Sequence, residues 1–242
     1  IPKEETPLVS IVLSTFERPE LVMTAIQSVL NQTFNSWELI IIDDNGIGTE
    51  AQKETFFKLK DLNYPNIKYH ALEKNMGCCG ARNEGIKISN GELIAFFDDD
   101  DIWMPDKLQK QVSSWKKNKD AGVIFSNMIV EDSYAKYEYI TDFPEDYLNE
   151  KELLKRGEGI CTSALMVEKK ILNKVGLFDE SLESYTDYDM LLRLSQFTSS
   201  TIVKKPLIIY KVLFRGISKN MKRKYQGKMS ILNKYKHLYF TQ

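Results

Sequence analysis

The chain has 242 residues and a mass of 28.1 kDa, with 43 % hydrophobic and 28 % charged residues. That is enough apolar material for one large core, which excludes a disordered or disulfide-stapled chain. A formal net charge of −1 supplies no global basic field, so nucleic acid is not the expected partner. Three Cys and two His make neither a disulfide framework nor a His-rich zinc site, and reduced thiols in a cytoplasmic setting are the simplest expectation. No apolar run reaches the roughly 18 residues of a spanning helix, and Ile1–Thr6 reads as a polar lead-in without a signal-peptide pattern.

Leu8–Thr15 (LVSIVLST) is nearly continuous apolar and β-branched sequence, the mark of a strand buried on both faces. Pro19 opens a helix to about Asn31, with Leu21, Val22, Ala25, Ile26, Val29 and Leu30 at helical spacing. Trp37–Ile42 is a second buried strand, ended by Asp43-Asp44-Asn45-Gly46. A helix over Glu50–Leu59 and a strand over Ile67–Leu72 follow. Gly77 and Gly80 frame a turn, and Ala81–Ser89 is a short helix. Glu92–Phe97 is another buried strand, running straight into Asp98–Asp101. Pro105 starts a helix to about Asn118, and Ala121–Ser126 is a strand. The alternation of strand and helix with short connections predicts an α/β domain with a mostly parallel sheet.

Beyond residue 127 the rhythm changes. The pattern predicts an edge strand at Tyr134–Ile140, a helix at Glu150–Arg156, a strand at Thr162–Val167, a helix at Tyr188–Gln196 and a strand at Leu207–Leu213. No repeat or linker composition divides the chain, so residues 1–218 are read as one domain and 219–242 as a C-terminal helix. Residues 219–236 carry Lys219, Lys222, Arg223, Lys224, Lys228, Lys234 and Lys236 without one acid, interleaved with Met221, Tyr225, Met229, Ile231, Leu232 and Tyr235. Two readings stand: a docked terminal helix with solvated lysines, or contact with an anionic membrane surface from the cytoplasmic side.

In open parallel sheets, ligands bind beyond the carboxyl ends of the strands. Three strands end there in Phe16-Glu17-Arg18, Asp43-Asp44 and Asp98-Asp99-Asp100-Asp101. Carboxylates crowded around one crevice are tolerable only with a cation or hydrogen-bond donors among them. Hard oxygen ligands without His or Cys suit Mg²⁺ or Mn²⁺, which keep positions open for phosphate oxygens. No glycine-rich turn follows the first strand and no GxxxxGK[ST] occurs, so a phosphate here is held by metal and side chains rather than by a glycine cradle.

PLVSIVLSTFERPELVMTAIQSVLNQTFNSWELIIIDDNG, followed by NMGCCGARNEGIKISNGELIAFFDDDDIWMPDKL, resembles the family 2 glycosyltransferases of the GT-A fold, densely from Pro7 to Leu108 and more thinly to Ser218. The resemblance implies a nucleotide-binding half over about 7–127 and an acceptor-side half over 128–218. It also implies transfer of a sugar from a nucleotide-sugar donor with inversion and with Mn²⁺ or Mg²⁺. By the same resemblance Phe16 lies against the base, Asp44 hydrogen-bonds it, and Arg82-Asn83 is the pair in which Arg reaches base or phosphate. Glu17, beside Phe16, is assigned to the donor as well. Phe16 as a core residue and Arg82 as a structural ion pair stay open as readings of the residues themselves.

The Asp-x-Asp motif fits in two frames. Aligned on Trp103-x-Pro105, the resemblance implies that Asp98 binds the ribose and Asp100 the metal, with Asp99 and Asp101 beside them. The other frame is Asp99-x-Asp101, with Asp101 on the metal. Thr186-Asp187 stands where the family has Glu-Asp, so Asp187 inherits the general-base role. Two further departures are Leu213 in place of a His and Gly46 in place of a Ser. A UDP-sugar is the expected donor, with a glycan, lipid-linked saccharide or glycoprotein acceptor; a homo-oligomer is compatible with all of this. The competing readings are a nucleotide-sugar-binding module without turnover and, lacking its glycine-rich turn, a nucleotidyltransferase.

Overall fold

The computed structural model describes residues 6–132, 134–145, 147–157, 159–212 and 221–240, except the side chain of Phe240. Strands β1 (Val9–Thr15), β2 (Trp37–Asp43), β3 (Ile67–Ala71) and β4 (Leu93–Asp98) pair in parallel in the order β3-β2-β1-β4. Ile11, Leu13, Leu39, Ile41, Ala95 and Phe97 are fully buried along them, as their unbroken apolar runs require. The register sets Thr15 beside Asp43, and Ser14 beside Asp98. The polar residues that end these three runs therefore meet along one edge.

Helices α1 (Pro19–Leu30) and α2 (Glu50–Leu59) form as expected, but α3 spans Gly77–Ile88. Gly77 and Gly80 are thus inside its first turn rather than framing a turn ahead of it. Gly85 of α3 lies so close to β1 that a Cβ there would stand 2.3 Å from Val12 Cγ1. A bare backbone at this position lets α3 press onto the sheet and carry Arg82 over the strand ends. Gly46, in the turn after β2, has φ +87°, a left-handed conformation that a Ser would adopt only at a cost.

Past the short β5 (Ile102–Trp103) and α4 (Lys107–Lys117), the sheet continues through β6 (Ala121–Asp132) and β7 (Tyr137–Ile140). Helix α5 (Glu150–Arg156), a 3₁₀ turn at Thr162–Ala164, β8 (Met166–Glu168), α6 (Lys169–Val175), α7 (Thr186–Ser195) and β9 (Ser199–Val212) complete this half. The full sheet order is β3-β2-β1-β4-β8-β6-β9-β5, with β7 on β6. The β8 strand pairs antiparallel with β4 and β6, whereas β6 and β9 run parallel. Four expectations shift. The strand expected from Thr162 is a 3₁₀ turn before a shorter β8. Helix α6 was not anticipated. Strand β6 runs on to Asp132. Strand β9 begins at Ser199, its register against β6 broken around Asn127.

Helices α8 (Met221–Lys234) and α9 (Lys236–Phe240) follow. Ile231 and Tyr235 are buried, and the Tyr235 hydroxyl donates to Asp189 Oδ1 at 2.7 Å. Lys234 Nζ lies 2.6 Å from both Asp179 Oδ2 and Asp189 Oδ1. One face of this basic helix is therefore docked on the start of α7. Lys219 and Leu213 lie outside the described residues. No described helix is long and apolar enough to cross a membrane.

Candidate active site

The acidic run does not continue the alternation of β4. The strand stops at Asp98, and the Asp101 amide closes a turn onto the Asp98 carbonyl at 3.2 Å. The turn sorts the carboxylates into two pairs that strand spacing does not give. Asp99 and Asp100 face Arg18, whose Nη1 donates to Asp99 Oδ1 at 3.0 Å and to Asp100 Oδ2 at 2.8 Å. Thr15 Oγ1 donates to Asp99 Oδ2 at 2.7 Å. Asp98 and Asp101 instead share the 3₁₀ turn. Ser163 Oγ accepts from the Asp98 amide at 3.1 Å and tempers the pKa of Asp101, and the Lys211 amide donates to Asp101 Oδ1 at 3.2 Å.

Arg82 is buried behind Asp98. Its Nη2 donates to Asp98 Oδ1 at 2.5 Å and to Thr162 Oγ1 at 3.1 Å, and Thr162 Oγ1 donates to Asp98 Oδ2 at 2.9 Å. The ion-pair reading of Arg82 is thus met, while its buried Nε has no partner. Asn83 is structural: its Oδ1 accepts from the Phe178 amide at 2.9 Å, and its Nδ2 donates to Glu180 at 2.8 Å. Two guanidinium groups therefore sit among four carboxylates, the donors that the sequence demanded without locating.

Burial dominates the electrostatics of the turn. It pushes the Asp99 carboxyl up to about 6, against the Thr15 hydroxyl and Arg18. It pushes Asp101 well above the usual carboxylate range, with Asp98 and Asp100 adding to it. Asp100 is raised by burial and by Asp98, with Arg18 opposing. Asp101 Oδ2 is buried and has no hydrogen-bond partner. An orphaned acceptor beside like charges lowers its energy by gaining a cation or a proton.

Phe16 is 42 % exposed, which rules out the core role and leaves its ring open at the end of β1. Glu17, also exposed, sits at φ +54°, and its amide donates to Asn45 Oδ1 at 2.8 Å. That bond ties the loop after β1 to the loop after β2. Asp44 is buried and accepts from the Met76 amide at 2.6 Å, ahead of α3. Burial pushes its carboxyl up to about 6, offset by the Met76 and Gly77 amides, with Asp43 raising it further. Asp43 itself accepts from the Tyr69 hydroxyl at 2.6 Å and from the Asn45 amide at 2.9 Å.

Asp187 lies in the first turn of α7, half-buried, and its Oδ1 accepts from the Tyr188 amide at 2.8 Å. Protein crowded around its carboxyl pushes the pKa up, offset by that amide and by the charge of Arg82, while Asp98 adds to it. Asp187 thus belongs to the same electrostatic cluster as Arg82 and Asp98. Asp189 does not: it is fully buried and bound by Arg193, Lys234 and Tyr235. Sequence reading gave no individual role to Thr15, Thr162 or Ser163, placing only the loop around residues 160–165 beside the sugar, and it named Arg18 only within the segment that ends β1. The one available signal was the acidic run itself, which requires donors nearby.

Residues 10–176 match the sequence model of glycosyl transferase family 2. The putative colanic acid biosynthesis glycosyl transferase WcaA of Escherichia coli K12 is 31 % identical over 196 residues, 79 % of this chain and 67 % of that protein. The E. coli UDP-Glc:α-D-GlcNAc-diphosphoundecaprenol β-1,3-glucosyltransferase WfgD is 31 % identical over 166 residues, 69 % of this chain and 62 % of its own length. The S. aureus TarS 1–349 structure with UDP-GlcNAc superposes with a TM-score of 0.70 at 18 % identity, covering 93 % of this chain and 66 % of that one. The mannosyltransferase PcManGT of Pyrobaculum calidifontis, in complex with GDP-Man and Mn²⁺, gives 0.70 at 14 % identity, over 96 % and 64 %. The chain thus spans about two thirds of the length of these relatives, and the fold it shares with the solved structures is the GT-A architecture. The match runs from β1 through the acidic turn to the end of α6, and by it the chain belongs to glycosyl transferase family 2.

Proposed function

We propose that the chain transfers a sugar, with inversion, from a UDP-sugar to a hydroxyl of a glycan or lipid-linked saccharide, and that Asp187 is the general base. The observation that carries this reading is the position of Asp187 at the start of α7. It shares one cluster with Arg82 and Asp98, and among the described residues it makes no ion pair. A carboxylate so placed accepts the acceptor hydroxyl's proton as that oxygen attacks the anomeric carbon. Crowding raises its pKa, which makes it a better base than a solvated Asp. The pull of Arg82 favours the ionised form that the role requires. WfgD, named for a UDP-sugar donor and a diphosphoundecaprenol-linked acceptor, and TarS with UDP-GlcNAc support the donor and acceptor classes.

The exposed Phe16 ring offers a stacking surface for the base, and Asp44 an acceptor for its ring N–H. Glu17 and Asn45 hold the two loops that carry them. Asp98 faces the ribose in this reading, with Asp99 alongside. Among the described residues no three or more His, Cys, Asp or Glu side chains form a ready metal cage. The orphaned Asp101 Oδ2 and the raised Asp100 nevertheless fit a cation that takes one or two carboxylates and fills its shell with phosphate oxygens. Asp100 would hold that Mn²⁺ or Mg²⁺, with Asp101 as the other candidate. The ion, when bound, neutralises the diphosphate leaving group. Arg18, shared between Asp99 and Asp100, supplies a second cation beside the same carboxylates.

The test is titration of UDP with and without Mn²⁺, together with transfer assays over a panel of UDP-sugars. Wild type should bind UDP more tightly with Mn²⁺, and Asp100→Asn should remove that dependence while keeping the wild-type melting temperature. Normal metal-dependent affinity in Asp100→Asn would move the ion to Asp101 or remove it from the account. Tight UDP binding by wild type without turnover on any donor would favour a binding module.

A further inference from the structure

The docking of α8 leaves one side of the helix open. Gly227 and Ile231 face the domain: both are buried, and a Cβ at position 227 would stand 2.0 Å from Ser184 Oγ. Met221, Tyr225 and Met229 are 76 %, 69 % and 40 % exposed. At about 100° per residue these three form a stripe centred roughly 140° from the docked side. Lys222 and Lys228, both exposed, lie roughly 60° to either side of the stripe, and exposed Lys224 falls beyond Lys228. No acid occurs from 221 to the end of the chain.

We infer that this outward face of α8 rests on an anionic lipid surface, its Met and Tyr side chains in the headgroup boundary and Lys222, Lys224 and Lys228 against the acidic headgroups. An apolar stripe flanked on both sides by lysines is the arrangement of a helix lying in a membrane interface, where long cationic side chains reach out to the headgroups. Self-association fits the face poorly. A two-fold contact along this stripe would set the lysines of one copy against those of the other. An anionic bilayer satisfies both the apolar and the cationic part of the face.

The position of the helix gives such contact a use, and this part rests on the glycosyltransferase reading. Ser184 Oγ donates to the Arg223 carbonyl at 2.9 Å, and Ser184 lies just before Asp187 in the chain. Seating α8 on a membrane therefore brings the acceptor side of the site close to the lipid surface, where a lipid-linked saccharide presents its hydroxyl.

The experiment is co-sedimentation of the full chain with vesicles of phosphatidylglycerol and phosphatidylcholine in equal amounts, against phosphatidylcholine alone. Wild type should partition to the anionic vesicles, and added salt should weaken the binding. Lys222→Glu/Lys224→Glu/Lys228→Glu should lower the affinity by about tenfold or more. Met221→Ser/Tyr225→Ser/Met229→Ser should weaken it comparably. Because all six side chains are exposed, both variants should keep the wild-type melting temperature and UDP affinity. Equal binding of wild type to both vesicles, or wild-type binding by both variants, would overturn the inference. So would a concentration-dependent dimer lost in the Met/Tyr variant with no vesicle binding, which would make the face a self-interface. Vesicle binding without turnover would leave the inference standing and count against the enzymatic reading alone.

Discussion

Replacing Arg82 with Met probes the joint between fold and site. Arg82 is 6 % exposed, and its guanidinium neutralises Asp98 over 2.5 Å. Removing one partner of a buried pair costs about 3–5 kcal/mol, because the other charge is left uncompensated. Asp98 keeps 26 % of its side chain exposed and retains the Thr162 hydroxyl, so the lower end, about 3 kcal/mol, is expected. For a domain of this size each kcal/mol is worth about 2–4 °C, so melting should fall by about 6–12 °C. Arg82→Met/Asp98→Asn, which leaves neither charge, should recover most of that loss. Scanning calorimetry on wild type, both single variants and the double variant closes the cycle. A coupling of at least about 1 kcal/mol is expected for groups in direct contact. Additivity within about 0.5 kcal/mol, or an unchanged melting temperature in Arg82→Met, would refute the assignment of this pair.

Phe16→Ala should weaken UDP binding by about 1–3 kcal/mol if the exposed ring stacks on the base; calorimetric titration that gives unchanged affinity would remove the ring from the site. Lys107 is fully buried, with its Nζ 2.7 Å from Gln111 Oε1 and 3.9 Å above the Trp103 ring, and burial lowers its pKa to about 7. The unfolded chain holds that proton up to about pH 10. The cost of burying the charge is therefore full below about pH 7 and fades as pH rises toward 10. Urea unfolding of Lys107→Met should show a stability gain over wild type that shrinks across that window, and a pH-independent difference would contradict the burial argument.

The parallel half of the sheet was legible because strands buried on both faces read as unbroken apolar runs: Val9–Thr15, Trp37–Asp43 and Leu93–Asp98 lie where those runs stand. The start of β9 was not legible. Ser199, Ser200 and Thr201 look like loop, and Lys204-Lys205-Pro206 interrupts any apolar alternation; pairing with β6 extends the strand through them. Helix α6, seven residues between β8 and Gly176, is too short to announce itself by periodicity. The acidic run declared a site but not its internal partition, because a tight turn rather than strand spacing decides which Asp shares a partner with which. Its counter-charges come from Arg18 on the loop before α1 and from Arg82 on α3. Only the register of β1 and β4, together with the close approach at Gly85, brings both to Asp98–Asp101.

The central claim is that Asp187 moves a proton in the transition state and does not hold the donor. A group acting only there should matter little for ground-state binding. Positioned proton transfer contributes about 10²–10⁴-fold, so Asp187→Asn should lower turnover by that factor. UDP-sugar affinity should stay within about threefold, a difference under about 1 kcal/mol. The decisive measurement takes both quantities on one sample whose melting temperature matches wild type. Turnover near the wild-type rate, or a loss of donor affinity as large as the loss of turnover, would contradict the assignment.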